Sequence, residues 1–460
     1  MQVTVRERGL MVGISGIRGV VGEALTPEIA CRLGACLATQ LPPGPVVVGR
    51  DSRPSGEILL RAVAVGLAGA GRDVVDVGVF PTPTVQIAAR EMRAAGAVVV
   101  TGSHNPEEWN ALKFVGSDGT FLGESATEGL WEAYLGTETH GAPWDALGRI
   151  RRRKSIGDIH LRAILDCPLV VPDQLRARPL RVAVDCNNGA GSRLAPALLK
   201  RLGCRVLRLH CRGDGQFAHP PEPIPENLAE LCGLVREAGA DAGFAVDPDA
   251  DRLSLVDETG TALGEEMTLP LAVLHALSIR EGPVVVNYST SSMTEHVCRE
   301  HGVPMLRAPV GEVNVVAEMR EAAAVVGGEG NGGVILPEVQ YARDSLTAMS
   351  LIASLLVQTG KHLSTLRQEL PRLFIVKRAT SLPRDLWPQL REQLPRCIPE
   401  ATWRDHDGAR AEWHGGWVHV RMSRTEPVVR AIAEGPDREV AAAKVAAVLR
   451  AVENLVSGAP

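Results

Sequence analysis

Aromatic residues make up only 3% of this 460-residue chain, too few to build the stacking surfaces on which single-stranded nucleic acids lie. An excess of one charge is also missing. Lys and Arg number 49 against 54 Asp and Glu, a net charge of −5, so no polyanion-binding face is expected and nucleic acid drops out as a partner. The nine cysteines include no Cys-x-x-Cys pair, which signals neither a zinc cage nor a disulfide framework. No apolar run approaches the length of a membrane span, and the first residues lack the apolar core of a signal peptide. The expected setting is therefore the reducing cytoplasm, with no membrane partner. What remains is ordinary for globular domains, with 45% hydrophobic and 22% charged residues. The length exceeds what one core can fill, so several domains are expected.

The chain turns on Ala97-Val-Val-Val-Thr-Gly-Ser-His-Asn-Pro106. Its apolar run reads as a buried strand that empties into a polar loop. Gly102 permits a close approach to a ligand, and Pro106 stiffens the exit. Open α/β sheets place ligands at the carboxyl ends of strands, where the hydroxyl of Ser103 would then sit. The same hexapeptide also suits a plain turn whose polar side chains bond their own backbone.

The surrounding chain is organised as a weak repeat. Before the Ser103 loop come a Gly-rich opening, Gly13-Ile-Ser-Gly-Ile-Arg-Gly19, in which Arg18 is a ready anion ligand, and a helix start at Thr26-Pro27-Glu28. A strand at 46–51, helices over 56–70 and 86–95, and a strand at 73–79 follow. Strand, polar turn and helix recur at Arg181-Val-Ala-Val-Asp-Cys-Asn-Asn-Gly189 and at Pro283-Val-Val-Val-Asn-Tyr-Ser-Thr290. The second half of each unit repeats more clearly. A charged helix end meets an apolar strand, which stops at Thr101, at Asp247-Pro-Asp-Ala-Asp-Arg252 and at Gly328-Glu-Gly-Asn-Gly-Gly333. Three copies of one α/β unit would set these loops at equivalent strand ends. Beyond residue 371 the pattern changes to strands at 373–376, 416–420 and 428–433 with a final helix over 438–456. Linkers are expected near 149–154, 257–260 and 359–370.

The carboxylate loop is the clearest chemically. Asp247, Asp249 and Asp251 alternate, so a coiled segment can aim all three at one point, and hard oxygen donors at that density suit Mg²⁺. An EF-hand loop fails because Arg252 occupies the position that needs glycine. Mg²⁺ prefers to share a phosphate oxygen, and a phosphorylated Ser103 would provide that ligand together with a phosphoryl group to transfer. In the third loop, Glu329 and Asn331 suit adjacent hydroxyls of a sugar, and no Lys-Ser/Thr follows as a Walker loop requires. The fourth loop, Arg421-Met-Ser-Arg-Thr-Glu-Pro427 with Arg430, sets guanidinium groups around Ser423 and Thr425, a collection fit to hold a phosphate. No Gly-x-Ser-x-Gly elbow surrounds Ser103, so a serine hydrolase is poorly supported.

In this order the four loops, with the Gly13 to Gly19 opening, resemble the α-D-phosphohexomutase superfamily over essentially the whole chain. The resemblance implies an α/β fold: three tandem α/β domains with mixed sheets sharing one core topology, plus a smaller C-terminal α+β domain, around a central cleft. The expected domains are 1–152 with the phosphoserine loop, 153–256 with the metal loop, 257–368 with the sugar loop and 369–460 with the phosphate loop. It also implies one Mg²⁺ held by Ser103, Asp247, Asp249 and Asp251, phosphoserine at Ser103, and a hexose 1,6-bisphosphate intermediate. Hexose phosphates are the implied partners, and the assembly a monomer or homodimer. By motif, His104, Arg18 and Lys113 would surround the phosphoserine, with Lys113 or His104 as the acid/base. Arg252 would help hold the transferring phosphoryl charge. Glu329, Asn331, Arg421, Ser423, Thr425 and Arg430 would bind substrate. Asn331 stands where Ser is commonest in bacterial members, and Pro309 to Asn314 lacks a basic or His residue that some members use near the sugar. The opening motif, the Asn-containing sugar loop and Arg343-Asp344 are most similar to the branch acting on glucosamine phosphates; the branch acting on mannose or glucose phosphates is the second reading. A Mg²⁺-dependent phosphatase and a non-catalytic sugar-phosphate binder are the rivals of other classes.

Ser103→Ala is expected to abolish hexose-phosphate interconversion and leave the far-UV circular dichroism spectrum unchanged; full activity in that variant would overturn the phosphoserine assignment.

Overall fold

The computed structural model describes residues 9–13, 16–136, 141–153, 155–423 and 427–458. Three tandem α/β units with mixed sheets lead into a fourth unit built on an antiparallel sheet. In the first unit the strands are β1 (Met11–Gly13), β2 (Gly16–Val20), β3 (Val46–Arg50), β4 (Val74–Val79), β5 (Gly96–Val100), β6 (Trp109–Gly116) and β7 (Ile150–Arg152), in the order β1-β2-β6-β5-β3-β4-β7. The second holds β8 (Arg181–Asp185), β9 (Arg205–Leu209), β10 (Ala242–Val246), β11 (Leu253–Val256) and β12 (Ala262–Gly264). The third holds β13 (Val284–Asn287), β14 (Met305–Ala308), β15 (Val326–Glu329), β16 (Gly333–Leu336) and β17 (Gln340–Arg343).

The repeat expected from the sequence is present as one sheet topology used three times. The orders β4-β3-β5-β6-β2, β9-β8-β10-β11-β12 and β14-β13-β15-β16-β17 correspond strand for strand. In each, the first three members are parallel and the last two antiparallel. The parallel strands read as continuous apolar runs because both of their faces are covered. Val46 to Val48, Val182 to Val184 and Val284 to Val286 are fully buried. The Ser103, carboxylate and sugar loops each follow the central strand of their unit, β5, β10 and β15.

Thr26 caps the helix Pro27–Gln40 with its hydroxyl, as its position before Pro27 predicts. Other expectations need correction. The helix expected over 86–95 runs Thr82–Glu91 instead, and its residues from Thr82 to Ala89 are all buried, so no polar face marks its start. The run expected as a solvated linker at 149–154 contains β7, an exposed edge strand parallel to β4. Residues 257–260 are the turn between β11 and β12, so the second sheet runs on to Gly264, past the boundary expected at 256. The linker expected at 359–370 holds the helix Leu363–Glu369, anchored by buried Leu363 and Leu366. Strand β6, which carries Lys113, is not marked by the apolar pattern, because Asn110 and Lys113 interrupt it.

One apolar core runs through the first three units without a break, from Val47 to Leu370. The fourth unit, β18 (Phe374–Ser381), β19 (Thr402–Arg404), β20 (Ala409–Trp413), β21 (Gly416–Met422) and β22 (Val428–Gly435) with the helix Arg438–Ser457, has its own core. It meets the third unit through polar contacts. Glu434, held within its own unit by Trp417 Nε1 at 2.8 Å, accepts a hydrogen bond from the backbone of Ser292 at 3.0 Å, and Lys377 pairs with Glu266 at 2.8 Å.

Polar staples also tie the first three units within their shared core. Fully buried His160 has Nδ1 2.8 Å from Thr84 Oγ1 of the first unit and Nε2 2.9 Å from Asp344 Oδ2 of the third. His160→Leu removes both bonds and takes one of three donors from the buried Asp344 carboxylate, which keeps Leu346 N and the Thr347 hydroxyl, so urea unfolding is expected to register a loss of about 1–3 kcal/mol.

Candidate active site

Ser103 has φ 47°, a left-handed conformation that a non-glycine residue holds only when its surroundings impose it. The imposition comes from Arg53, which is 1% exposed. Its guanidinium donates to the carbonyls of Ser103 (2.7 Å), Asn105 (2.6 Å), Pro106 (2.6 Å) and Trp109 (3.2 Å) and pairs through Nε with Asp51 at 3.2 Å. The Asp51 carboxylate in turn accepts from the Thr101 hydroxyl at 2.6 Å. Gly102 is where the guanidinium passes, since a Cβ there would lie 2.8 Å from Arg53 Cζ. Arg53 was not singled out by sequence reasoning; its Asp51-Ser-Arg turn looks like any polar turn after a strand.

The serine hydroxyl donates to Asp247 Oδ2 at 3.0 Å and lies 3.3 Å from His104 Nδ1. Segments 144 residues apart thus meet at one point. Asp247, Asp249 and Asp251 are all fully buried, and one oxygen of each lies within 4.8 Å of the others. Burial and the two neighbouring carboxylates push Asp247 well above the usual range. Burial acts the same way on Asp249, but Lys113 and hydrogen bonds, including one from Thr82, outweigh it and hold Asp249 low. Asp249 Oδ1 and Asp251 Oδ1 are buried with no hydrogen-bond partner. Hard oxygen donors, two of them orphaned, around a concentration of like charge fit a hard divalent cation such as Mg²⁺.

Two cations from outside the second unit balance this charge. Lys113 Nζ of β6 donates to Asp249 Oδ2 at 2.8 Å and stands 3.9 Å from Asp251. Burial would lower its pKa, yet Asp249 and Asp251 raise it overall. Arg343 of β17 splits its guanidinium among Asp251 (2.5 Å), Glu329 (2.8 Å) and Glu312 (3.0 Å). Arg252 donates its backbone N–H to Asp247 at 3.1 Å, and its side chain stands 3.7 Å from Asp251. Burial, then the charge of Arg252, hold His104 well below the usual imidazole range, so its ring is neutral.

The sugar loop adjoins this cluster. Leu253 N donates to the carbonyl of Gly332 at 3.0 Å, a contact so close that a Cβ on Gly332 would lie 2.3 Å from the Leu253 carbonyl oxygen. Glu329 accepts from Asn287 Nδ2 at 2.7 Å and Gly311 N at 2.9 Å. Burial opposes its ionisation, but Arg343 and these donors hold its pKa below the usual value. Asn331 Nδ2 reaches Glu329 at 3.5 Å, while its Oδ1 accepts from Gly333 N. Asn287, Glu312 and Thr82 also escaped sequence reasoning, because each acts through residues distant in the chain.

Arg18 is on β2, two strands from β5 and beside Lys113's strand. In the fourth unit Arg421 and Arg430 are direct cross-strand partners on β21 and β22, and Ser423 is buried at the end of the hairpin. Thr425 lies outside the described residues.

The family models that match are phosphoglucomutase/phosphomannomutase α/β/α domain I over residues 9–140, domain II over 158–260 and domain III over 266–374. They define the class as phosphohexomutases, which are isomerases. The chain belongs to the phosphoglucomutase/phosphomannomutase family. A relative from Methanopyrus kandleri named "Probable phosphoglucosamine mutase" is 38% identical over 94% of this chain and 95% of its own length. A "Phosphoglucomutase/phosphomannomutase" from Thermococcus kodakarensis is 33% identical over 98% of this chain and all (100%) of its own. A crystal structure of a phosphoglucomutase/phosphomannomutase family protein from Burkholderia thailandensis superposes with a TM-score of 0.85 at 29% identity, covering 98% of each chain.

Burial, opposed by Arg343, pushes Glu312 up to about 7. The unfolded chain loses this proton near the ordinary carboxylate pKa while the folded chain keeps it, so stability falls as pH rises from about 4.5 to about 7. Glu312→Gln leaves Arg343 balanced by two carboxylates and lacks that fall; urea unfolding at pH 5 and pH 8 is expected to give a smaller difference for the variant than for the wild type.

Proposed function

We propose that this chain interconverts hexose 6-phosphate and hexose 1-phosphate through a phosphoserine at Ser103 and a bisphosphorylated sugar, with glucosamine phosphates as the preferred pair. The observation that carries the reading is the 3.0 Å contact between Ser103 Oγ and Asp247 Oδ2, which puts a nucleophile of the first unit on the carboxylates of the second. Mg²⁺ held by Asp247, Asp249, Asp251 and a phosphoryl oxygen on Ser103 would offset the anionic charge of the group in transfer.

Transfer breaks the phosphorus–oxygen bond to Ser103 and forms one to the free sugar hydroxyl, whose proton must leave. The neutral ring of His104, 3.3 Å from Ser103 Oγ, is the group able to take a proton there. Lys113, held charged by two carboxylates, is a positioning cation in this arrangement rather than a base. Arg252 and Arg18 attract the phosphoryl oxygens. After the bisphosphate turns over, the phosphoryl group at the opposite end of the sugar returns to Ser103 Oγ, the displaced sugar oxygen regains a proton, and the product leaves. Binding in both orientations needs a fixed grip on whichever phosphate is distant, the role given to Arg421, Ser423, Thr425 and Arg430. A phosphatase has no use for such a grip. Glu329 and Asn331 recognise the sugar, and an ionised carboxylate beside an amide oxygen favours an ammonium substituent on the ring. The name of the Methanopyrus kandleri relative supports glucosamine; that of the Thermococcus kodakarensis relative supports mannose or glucose as the second reading.

The test compares kcat/KM for the 6-phosphates of glucosamine, glucose and mannose with a hexose bisphosphate activator and Mg²⁺ present. Glucosamine 6-phosphate is expected to lead by about tenfold or more, a difference of about 1.4 kcal/mol in transition-state binding. A lead by mannose or glucose would replace the preferred sugar, and stoichiometric release of inorganic phosphate would overturn mutase chemistry.

A further inference from the structure

The repeated topology places an Asp or Asn at the carboxyl end of the second strand in the shared sheet order: Asp51 after β3, Asp185 ending β8 and Asn287 ending β13. All three make the same local turn, accepting from the backbone N–H two residues on at 2.9, 2.8 and 2.9 Å. Their remaining capacity differs. Asp51 supports Thr101 and Arg53 beneath the serine loop, and Asn287 supports Glu329 of the sugar loop. Asp185 instead faces two imidazoles. His210 Nδ1 lies 3.2 Å from both of its oxygens, and His219 Nε2 lies 3.2 Å from Oδ2.

The outward nitrogens of both rings face oxygen acceptors. His219 Nδ1 is 2.9 Å from the carbonyl of Pro220, and His210 Nε2 is 3.3 Å from Glu230. Neither a carbonyl nor a carboxylate donates, so these outward nitrogens suit protons. The inner nitrogens lie at hydrogen-bond distance from Asp185 and donate to it while protonated; a divalent ion that displaces those protons meets two lone pairs and a carboxylate oxygen aimed at one point. The pattern is that of metal-ligating histidines, whose second nitrogen donates to a carboxylate or backbone carbonyl. A tetrahedral ion with bonds of about 2.0–2.1 Å spaces its ligand atoms about 3.3 Å apart, close to the observed nitrogen–oxygen separations. Asp185 is buried and the histidine side chains are 17% and 14% exposed, which leaves a path for an ion and room for a fourth ligand.

We propose that Asp185, His210 and His219 form a second divalent-metal site, distinct from the catalytic carboxylates and selective for an ion of the zinc class over Mg²⁺. Two nitrogens and one oxygen suit such an ion, whereas Mg²⁺ takes oxygen donors. The ion clips together the two ends of the 210–219 loop. That loop seats Phe217 against the Arg53 guanidinium, 4.9 Å from ring centroid to Cζ, and packs Gly215 on Ser52 so tightly that a Cβ there would be 2.0 Å from its carbonyl oxygen. The site therefore braces the clamp under the serine loop from outside. This assignment does not depend on which sugar the enzyme prefers.

The experiment loads the full chain with Co²⁺ or Zn²⁺ in the presence of saturating Mg²⁺, which fills the catalytic carboxylates. The wild type is expected to hold one transition ion, with the visible absorption of tetrahedral Co²⁺ and paramagnetically shifted N–H protons from two histidines. His210→Gln and His219→Gln are each expected to weaken Zn²⁺ binding by at least about tenfold, while Asp247→Asn leaves the Co²⁺ spectrum in place. A wild type that holds no ion under these conditions overturns the proposal without recourse to any variant. So does a Co²⁺ spectrum that survives in both histidine variants or disappears in Asp247→Asn.

Discussion

Three buried carboxylates on one short loop cannot stay charged together without cations, and this single electrostatic demand organises the first three units. Asp247, Asp249 and Asp251 belong to the second unit, yet the side chains that compensate them are Lys113 of the first and Arg343 of the third. Removing one partner from a buried pair of this kind costs about 3–5 kcal/mol, because the other charge is left without water or a counterion. The site is therefore also a structural joint. Arg343 carries the constraint further, since the guanidinium that balances Asp251 also fixes Glu329 of the sugar loop and Glu312.

The repeated α/β unit explains how such a joint is possible. A loop that follows the central strand appears at the same end of each sheet, and the fused apolar core holds the sheets in one arrangement. Given that frame, each unit specialises by changing a few side chains at equivalent positions. The residue at the end of β3, β8 and β13 shows this well: it underpins the serine loop in one unit and the sugar loop in another, and in the second unit it faces two histidines. Left-handed backbone at Ser103 and at Ala250 in the carboxylate loop is tolerated where many hydrogen bonds over-determine the conformation.

The fourth unit obeys a different rule. Its core is separate, and among the described residues Glu434, Lys377, His419 and Arg410 make polar contacts with the third unit. Polar interfaces between domains restrain relative movement less than a shared core does. The fourth unit is thus attached less rigidly than the first three are to one another, which suits the grip in two orientations proposed for its loop.

Sequence by itself determined the α/β class and the threefold repeat, and it suggested a chemistry for each loop. Parallel strands buried on both faces must be apolar throughout, and Mg²⁺, phosphate and sugar hydroxyls each demand recognisable side chains at short spacing. Buried helices and interrupted strands were harder to read: the helix from Thr82 has no polar face, and β6 carries Asn110 and Lys113 within a strand. Tertiary structure alone decided which cations answer the carboxylates, that Arg53 holds Ser103 in place, that Asn287 and Gly311 orient Glu329, and that Asp185 meets His210 and His219. Those pairings join residues tens to hundreds of positions apart, so nothing in local composition announces them. They exist because burial removes water and leaves each charge to be satisfied by whatever side chain the packing of distant segments brings within reach.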